Sequence, residues 1–342
     1  MTGAGLSRGR RGDRALLAAA QAGDEDAFVE VTSPYRRALH IHCYRLLGSV
    51  HDADDALQET MLRAWRGLPR YEPRAPLTGW LYRIATNVCL RLIERRGPAI
   101  PAGTHLQPYP DRLLADLTST GLDPHDAAAL RESVGLAYAA ALQLLPSKQR
   151  AVLILRDALD LPAREVAELL GDSVPAVNSA LQRAREHIAR EHAAGTLARP
   201  HAPASPRVEA AVMRAFLDAW AAVDIDRIVA LLTDDAVLTM PPIDVRIEGA
   251  EAVGQFFATE PVGGRLDRIT LKPTRAGGQP GYACYADETG AGDHTAYGVM
   301  VFALRDDRIA GITGFPRDTE LFEALDAPLT LPRNQSATRE GA

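Results

Sequence analysis

The residue types that could do chemistry fall into four sets. Between Ser173 and Arg185, the side chains of Ser173, Ala176, Asn178, Ser179, Gln182, Arg183 and Arg185 share one side of a helix whose other side is Val177, Leu181, Ala184 and Ile188. Asn and Gln amides pair with adenine edges and guanidinium groups with guanine or phosphate, so this face suits a DNA major groove. A plain solvated helix face has the same composition. The second set interleaves the rings of Tyr71, Trp80 and Tyr82 with Arg70, Arg74 and Arg83. Rings stack unpaired bases while arginines follow phosphates, although Trp80 also lies on an apolar stripe and there reads as packing. The third set is acidic: Asp52, Asp54, Asp55 and Glu59 within one helical segment. Phosphate repels such a face, which leaves solvent or a basic protein partner. The fourth set, Trp220, Met240, Asp244, Arg246, Tyr285, His294 and Phe315, could line a pocket. A single histidine without a placed partner does not define a general base, and His294 reads first as an ordinary strand residue.

The elements that must carry these sets follow from periodicity. Ala27, Phe28, Val31, Tyr35, Ala38, Leu39, His42, Leu46 and Leu47 recur at steps of three and four and predict a helix with one buried stripe. Asp52 is the expected cap of a second helix that Pro69 stops, and Thr78 of a third that runs to Arg95-Arg96-Gly97-Pro98. Residues 97–125 read as a proline-punctuated linker in which LQPYPDRLLADL could lie along a partner surface. Helix resumes at Asp126. After Pro146, SKQRAVLILRDAL predicts one helix, and LPAREVAELL, the turn GDS and VPAVNSALQRAREHIAREH predict a helix-turn-helix with Ser173 as N-cap. Residues 193–207 form a second linker. Beyond it, two helical stretches precede β-branched runs (AVLTM, DVRIEG, LDRITLKPT, GYACYAD, HTAYGVMVFAL, RIAGITGF), the pattern of an α+β domain.

Composition bounds the function classes. The 342 residues are 46% hydrophobic and 24% charged, which excludes wholesale disorder. No run of 18 apolar residues is present, so no transmembrane helix is expected, and the basic start MTGAGLSRGRRGDR leads into no signal-peptide core, so export is not expected. Cys43, Cys89 and Cys284 are too far apart for a metal motif and fit buried thiols in a reducing compartment. Net charge is −6 but uneven: residues 1–96 carry 15 Lys+Arg against 11 Asp+Glu, and residues 206–342 carry 13 against 21. The front is therefore the part expected to face a polyanion. There is no GxxxxGK[ST] phosphate loop, and no catalytic residue, cofactor or metal site is expected.

The string DADDALQETMLRAWRGLPRYEPRAPLTGWLYRIATNVCLRLIERR strongly resembles domain 2 of bacterial sigma factors of the extracytoplasmic-function type. LPSKQRAVLILRDALDLPAREVAELLGDSVPAVNSALQRARE resembles their domain 4. The resemblance implies that Asp54, Asp55, Gln58 and Glu59 face the clamp helices of the largest subunit of core RNA polymerase. It implies that Tyr71 and Asn87 lie where the minus-ten element is melted and a base captured, with Arg74, Trp80 and Arg83 beside them. It places Ser173–Arg185 on the helix that reads the minus-thirty-five element, with domain 4 also meeting the polymerase flap region. Asn178 stands where many members carry a basic residue. The C-terminal part resembles the SnoaL-like group of the NTF2-like fold, some of whose members are isomerases or epoxide hydrolases.

The expected architecture is therefore multi-domain: two all-α sigma domains, 13–96 (domain 2) and 126–192 (domain 4), followed by an α+β, cone-shaped SnoaL-like domain at 208–326. Linkers at 97–125 and 193–207 and a mobile tail at 327–342 complete it. The expected partners are core RNA polymerase and promoter DNA, in the cytoplasm and with no membrane, with the last domain regulating the others in cis or binding a small-molecule ligand. Two alternatives stay open on the sequence alone. One is a stand-alone helix-turn-helix regulator. The other is a small-molecule-converting enzyme in the C-terminal domain.

Overall fold

The computed structural model describes residues 12–72, 76–96, 106–115, 135–193 and 204–332. These divide into two compact units, the second of which takes in the short segments 106–111 and 135–137 as well as everything described from 204 onward.

The first unit is helical. Helix α1 spans Gly12–Gln21, α2 Glu25–Leu47, α3 Val50–Gly67 and α4 Leu77–Arg96. Asp24 caps α2 by accepting the Ala27 N–H at 3.0 Å, and Glu25 and Asp26 in the first turn favour the positive end of its dipole. The helix ends where Gly48 takes φ 80°, a left-handed position that glycine occupies without strain. The expected single apolar stripe holds only for the front half of α2. From Leu39 to Val50 every residue is buried, His40, His42 and Arg45 included. The helix is covered there by α3, α4 and the helices after residue 135, so tertiary packing overrides the amphipathic pattern.

Two caps differ from expectation. Ser49, not Asp52, caps α3: its Oγ accepts the Asp52 N–H at 3.2 Å, because the chain leaves Gly48 extended at Ser49 and Asp52 already sits in the first turn. Thr78 lies inside α4, which begins at Leu77.

Further on, α5 is a single turn at Arg112–Ala115, so the linker expectation for 97–125 is interrupted there. Helix α6 covers Leu136–Gln143, α7 Ser147–Leu153, α8 Ala163–Leu170 and α9 Val174–Ala193. The expected helix start at Asp126 lies outside the described residues. The helix after Pro146 is shorter than its apolar run: a π-helical turn at Ile154–Ala158 takes over from α7. Gly171 at φ 69° closes α8, and the Ser173 Oγ accepts the Ala176 N–H at 3.3 Å, which makes the turn between α8 and α9 as predicted.

The second unit is an α+β fold. Helices α10 (Pro206–Ala221), α11 (Ile225–Ala230) and α12 (Ala250–Thr259) pack on one curved sheet, and α13 (Thr319–Ala324) follows it. The strands are β1 Leu232–Thr239, β2 Arg246–Glu248, β3 Ile269–Ala276, β4 Gln279–Ala286, β5 His294–Arg305, β6 Arg308–Pro316 and the short β7 Thr330–Leu331. Their order is β2-β1-β6-β5-β4-β3, with β7 against β5. Only β1 and β6 run parallel; the other pairs are antiparallel. The inner face carries Leu271, Tyr282, Cys284, Met300, Phe302 and Ile312 against Phe216, Trp220 and Phe257 from the helices. Stacked and edge-on rings centred on Phe216 fill this interior, with Phe302 at 4.8 Å and Tyr282 at 6.1 Å.

At the end of β3, the edge strand, the last residues of the segment 106–111 meet the sheet in a single bridge. The Tyr109 carbonyl accepts the Gly277 N–H at 2.6 Å, Pro110 bridges Ala276, and Asp111 Oδ1 accepts the Gly278 N–H at 2.8 Å. Arg275 reaches both Asp111, at 3.4 Å, and Glu209. Gln107 donates to Asp318, the cap of α13, at 2.9 Å, and Leu106 and Tyr109 are buried. An exposed edge strand is a template for pairing, and here the chain's own earlier segment takes it. LQPYPDRLLADL was expected along a partner surface; its first residues instead meet the chain's own C-terminal unit, and Asp116 and Leu117 lie outside the described residues.

Candidate nucleic-acid interface

On α3, Asp54, Asp55 and Gln58 are exposed and Glu59 is half-buried, one helical turn apart in pairs, so the four form a single patch. Their opposite side, Ala53, Ala56, Leu57 and Thr60, is buried. Three of the carboxylates have basic neighbours: Asp54 Oδ1 lies 3.2 Å from His40 Nε2, Asp55 3.9 Å from His51, and Glu59 accepts from Arg63 Nε at 2.6 Å. The interaction with His40, then the nearby charges of His51 and Arg37, hold the Asp54 carboxyl below the usual range against the opposing effect of its burial. Asp54 therefore stays anionic at neutral pH.

On α4, Arg83 is exposed and Asn87 half-buried one turn later, while Leu81, Ala85, Thr86, Val88 and Cys89 face inward. The orientation is pinned from within. His42 Nε2 and Thr86 Oγ1 lie 2.8 Å apart, and the Tyr82 ring packs edge-on to His42 at 5.0 Å. Burial pushes the His42 imidazole down to about 3, so it is neutral and serves as a packing and hydrogen-bonding group. Tyr71 and Trp80 depart from the picture of open stacking platforms. Their rings lie 5.0 Å apart, Tyr71 is only 9% exposed, and Trp80 sits over Gly67. The hydrophobic cost of leaving two large rings in water drives them together, so they form a small cluster beside Arg83 and Asn87. Arg74 lies outside the described residues.

On α9 the inward stripe is realised at Val177, Leu181 and Ala184, while Ile188 is half-buried. Ser173, Asn178, Ser179, Gln182, Arg183 and Arg185 are exposed, Ala176 is half-buried, and Val177, Ala180, Leu181 and Ala184 are buried. Arg185 is bidentate to Asp157, at 2.7 and 3.2 Å, and this pairing raises its already high pKa. Gln182 donates to Glu186 at 2.9 Å. The face is thus a polar row ready for base edges, with one of its two arginines already paired.

In the second unit the residues expected to line a pocket do not come together. Trp220 is core, its indole N–H donating to the Ile269 carbonyl at 3.2 Å. Met240 packs at the edge of the same inner cluster. Tyr285 and Phe315 point to the opposite face, because they are out of phase with Tyr282, Cys284 and Ile312 along their strands; Tyr285 meets Phe322 there at 5.4 Å. Asp244 and Arg246 are exposed in and beside a loop, and His294 lies at the β5–β7 pairing. Among the described residues of this unit the buried polar side chains are Gln107, Thr233 and Asp287. Both Asp287 oxygens accept backbone N–H groups, of Gly290 at 2.7 Å and Gly292 at 2.9 Å.

Comparison with known proteins gives three domain matches along the chain: sigma-70 region 2 over residues 32–98, sigma-70 region 4 over 135–188, and a SnoaL-like domain over 213–312. The ECF RNA polymerase sigma factor SigG of Mycobacterium tuberculosis is 39% identical over 322 residues, covering 88% of this chain and 84% of the relative. The chain belongs to the extracytoplasmic-function RNA polymerase sigma factors. A second relative, the sigma factor SigW of Bacillus subtilis, is 32% identical over 49% of the chain and 90% of its own length. The crystal structure of the sigma factor SigJ of Mycobacterium tuberculosis has a TM-score of 0.61 at 23% identity, over 88% of this chain and 99% of that one, and shares the fold. In this sigma factor the acidic patch and the Arg83–Asn87 stripe both fall within region 2, and the polar row of α9 falls within region 4. The helical sigma part followed by an α+β, SnoaL-like part is as expected, and no helix among the described residues is long and apolar enough to cross a membrane.

Two features escaped sequence reasoning. Arg150 and Gln143 are buried polar groups within apolar runs. The only signal is their position: a cation one turn into α7, at the head of the run AVLIL, sits where an amphipathic reading puts core. The docking of 106–111 on β3 had only proline and tyrosine punctuation to announce it.

Proposed function

We propose that this sigma factor docks on core RNA polymerase through Asp54, Asp55, Gln58 and Glu59 and opens the minus-ten element beside Tyr71, Arg74, Trp80, Arg83 and Asn87. It reads the minus-thirty-five element with Ser173, Ala176, Asn178, Ser179, Gln182, Arg183 and Arg185. The acidic patch suits the basic surface of a protein partner and repels duplex. A stand-alone repressor needs no such patch. Energy for strand opening comes from captured bases and phosphate contacts, and the work is done in the cytoplasm.

The SnoaL-like domain regulates these steps in cis. The observation that carries this reading is the docking of 106–111 against the end of β3: a stretch between regions 2 and 4 is built into the C-terminal unit. That unit's 13 Lys+Arg against 21 Asp+Glu adds an acidic body that competes with DNA for cationic surfaces. Its interior, occupied by Phe216, Trp220, Phe257, Tyr282 and Phe302, supports a role without turnover. The test is in vitro transcription with core polymerase, comparing the full chain with one truncated after residue 205. Truncation is expected to change promoter binding and to raise initiation. Identical binding and initiation would remove the cis-regulatory reading while leaving the sigma assignment intact.

A further inference from the structure

Helix α1 precedes the region 2 match, which begins at residue 32, yet its last residue reaches the turn that leads to Tyr71. Gln21, half-buried, donates from Nε2 to the Tyr71 carbonyl at 2.9 Å and to the Leu68 carbonyl at 3.2 Å. One side-chain amide thus directs its two hydrogens at two main-chain oxygens. Those oxygens bracket the 3-10 turn Leu68–Arg70 that follows α3. The Tyr71 N–H closes the same turn on the Leu68 carbonyl at 3.0 Å. The chain then leaves it extended, with Tyr71 at φ −69° and ψ 122°. The corner that carries Gln21 is itself fixed: Ala20 is buried, Gly23 turns the chain at φ 99° and Asp24 caps α2.

Tyr71 is therefore held from two sides. Gln21 fixes its peptide plane, and Trp80, itself against Gly67, holds its ring at 5.0 Å. A ring packed on one neighbour alone swings with its peptide plane; the tie to the carbonyl removes that freedom. We propose that Gln21 is a positioning residue for opening of the minus-ten element, setting the Tyr71–Trp80 pair beside Arg83 and Asn87 before a base arrives. This role rests on the assignment of those four residues to the minus-ten element. Rings already in place forfeit less freedom when an unpaired base stacks beside them. The fold itself leans little on the tie. Without it the Leu68 carbonyl keeps the Tyr71 N–H, and the Tyr71 carbonyl, only partly buried, turns to water. The acidic patch is remote, since Glu59 lies about 12 Å along α3 from its end at Gly67. Removing the donors should therefore act on opening and leave core docking alone.

The test uses the full chain with core polymerase. The probe is the duplex that the unaltered holoenzyme opens best from a pool of randomised upstream sequences, remade with 2-aminopurine in its melted segment. Gln21→Met keeps the length and removes the donors. Gln21→Glu keeps the shape and sets a carboxylate against two carbonyls. Both are expected to slow the fluorescence rise on opening roughly threefold to tenfold, as loss of one modest hydrogen bond does, with Gln21→Glu the slower. Core affinity, read by anisotropy, should stay within about twofold, because the patch and Gln21 share no partner. In a Tyr71→Ala background, Gln21→Met should add less than about twofold, because its effect passes through Tyr71. Melting curves identify a variant that fails to fold; Gln21→Met, uncharged in a half-buried place, carries the test if Gln21→Glu does. Folded variants that open the probe at the unaltered rate, lose core affinity in step with opening, or add in full to Tyr71→Ala would overturn the positioning role. If Tyr71→Ala alone opens the probe at the unaltered rate, the minus-ten assignment of Tyr71 fails by itself, and the ground for Gln21 goes with it.

Discussion

At the residue scale, His42 is the side chain whose ionisation the fold controls most clearly. Burial lowers its folded pKa to about 3, below the ordinary 6.5. The stabilisation from keeping it neutral is complete above pH 6.5 and is lost as pH falls toward 3, because the unfolded chain takes up the proton first. Stability of the helical unit is therefore expected to drop by several kcal/mol across that window, since each tenfold change in proton affinity is worth roughly 1.4 kcal/mol. His42→Gln, which can still bond Thr86 but does not titrate, should flatten the decline; denaturant melts at pH 7, 5 and 4 measure it. Arg183 and Asn178 make a second pair of expectations. Arg183→Ala should weaken promoter binding by a similar factor on all sequences and reduce the salt slope by about 1, as loss of a phosphate contact does. Asn178→Ala should instead relax preference at one base position at a cost of about 1–3 kcal/mol. Binding isotherms at several salt concentrations, on promoter and scrambled duplexes, separate the two. Arg185→Ala should cost little stability, since its pair with Asp157 is exposed.

At the element scale, the 106–111 segment and β3 form a joint between the stretch that follows region 2 and the C-terminal unit. Asp111→Ala removes the acceptor for the Gly278 N–H and one partner of Arg275, leaving Glu209 as the other. The segment is expected to become cleavable by added protease several-fold faster, while the melting temperature of the sheet changes by only a few degrees. Unchanged cleavage would mean that the buried Leu106 and Tyr109, with the Gln107–Asp318 and Gly277–Tyr109 hydrogen bonds, hold it without Asp111. Much of this level was legible in the sequence. The helices of region 2, the α8–α9 turn with its Ser173 cap and the strand runs of the C-terminal unit follow from periodicity and punctuation. Three things did not, for physical reasons. Ser49 outcompetes Asp52 as a cap because the break is fixed by Gly48, a backbone property. The rear half of α2 is buried all round because three other elements converge on it, which no local pattern records. Tyr285 and Phe315 fall on the face away from Trp220 because each lies an odd number of residues from the inward-facing Cys284 or Ile312 on its own strand, a phase that a set of pocket-type residues does not record.

At the scale of the whole molecule, charge and stability are expected to separate by unit. The first 96 residues carry a net +4, from 15 basic and 11 acidic side chains, and the last 137 a net −8, from 13 and 21. A version ending at residue 205 should bind DNA with a steeper salt dependence than the full chain, because the acidic partner no longer competes with phosphate. Calorimetry of the full chain across pH should show the acid-sensitive transition in the truncated version as well, since His42 lies in the part retained. Equal salt slopes for the two versions would argue that the C-terminal unit acts through the 106–111 joint alone.

The parallel pairing of β1 with β6 sets a timetable. Leu232–Thr239 cannot be completed as a sheet strand until Arg308–Pro316 has been made, and the strand that receives residues 106–111 lies in the same sheet. At ribosomal speeds of roughly 5–20 residues per second, the helices up to Ala193 are finished some 6–25 seconds before that pairing can close. Every newly made copy thus passes through a brief youth in which its helical half is whole and the sheet that receives residues 106–111 does not yet exist.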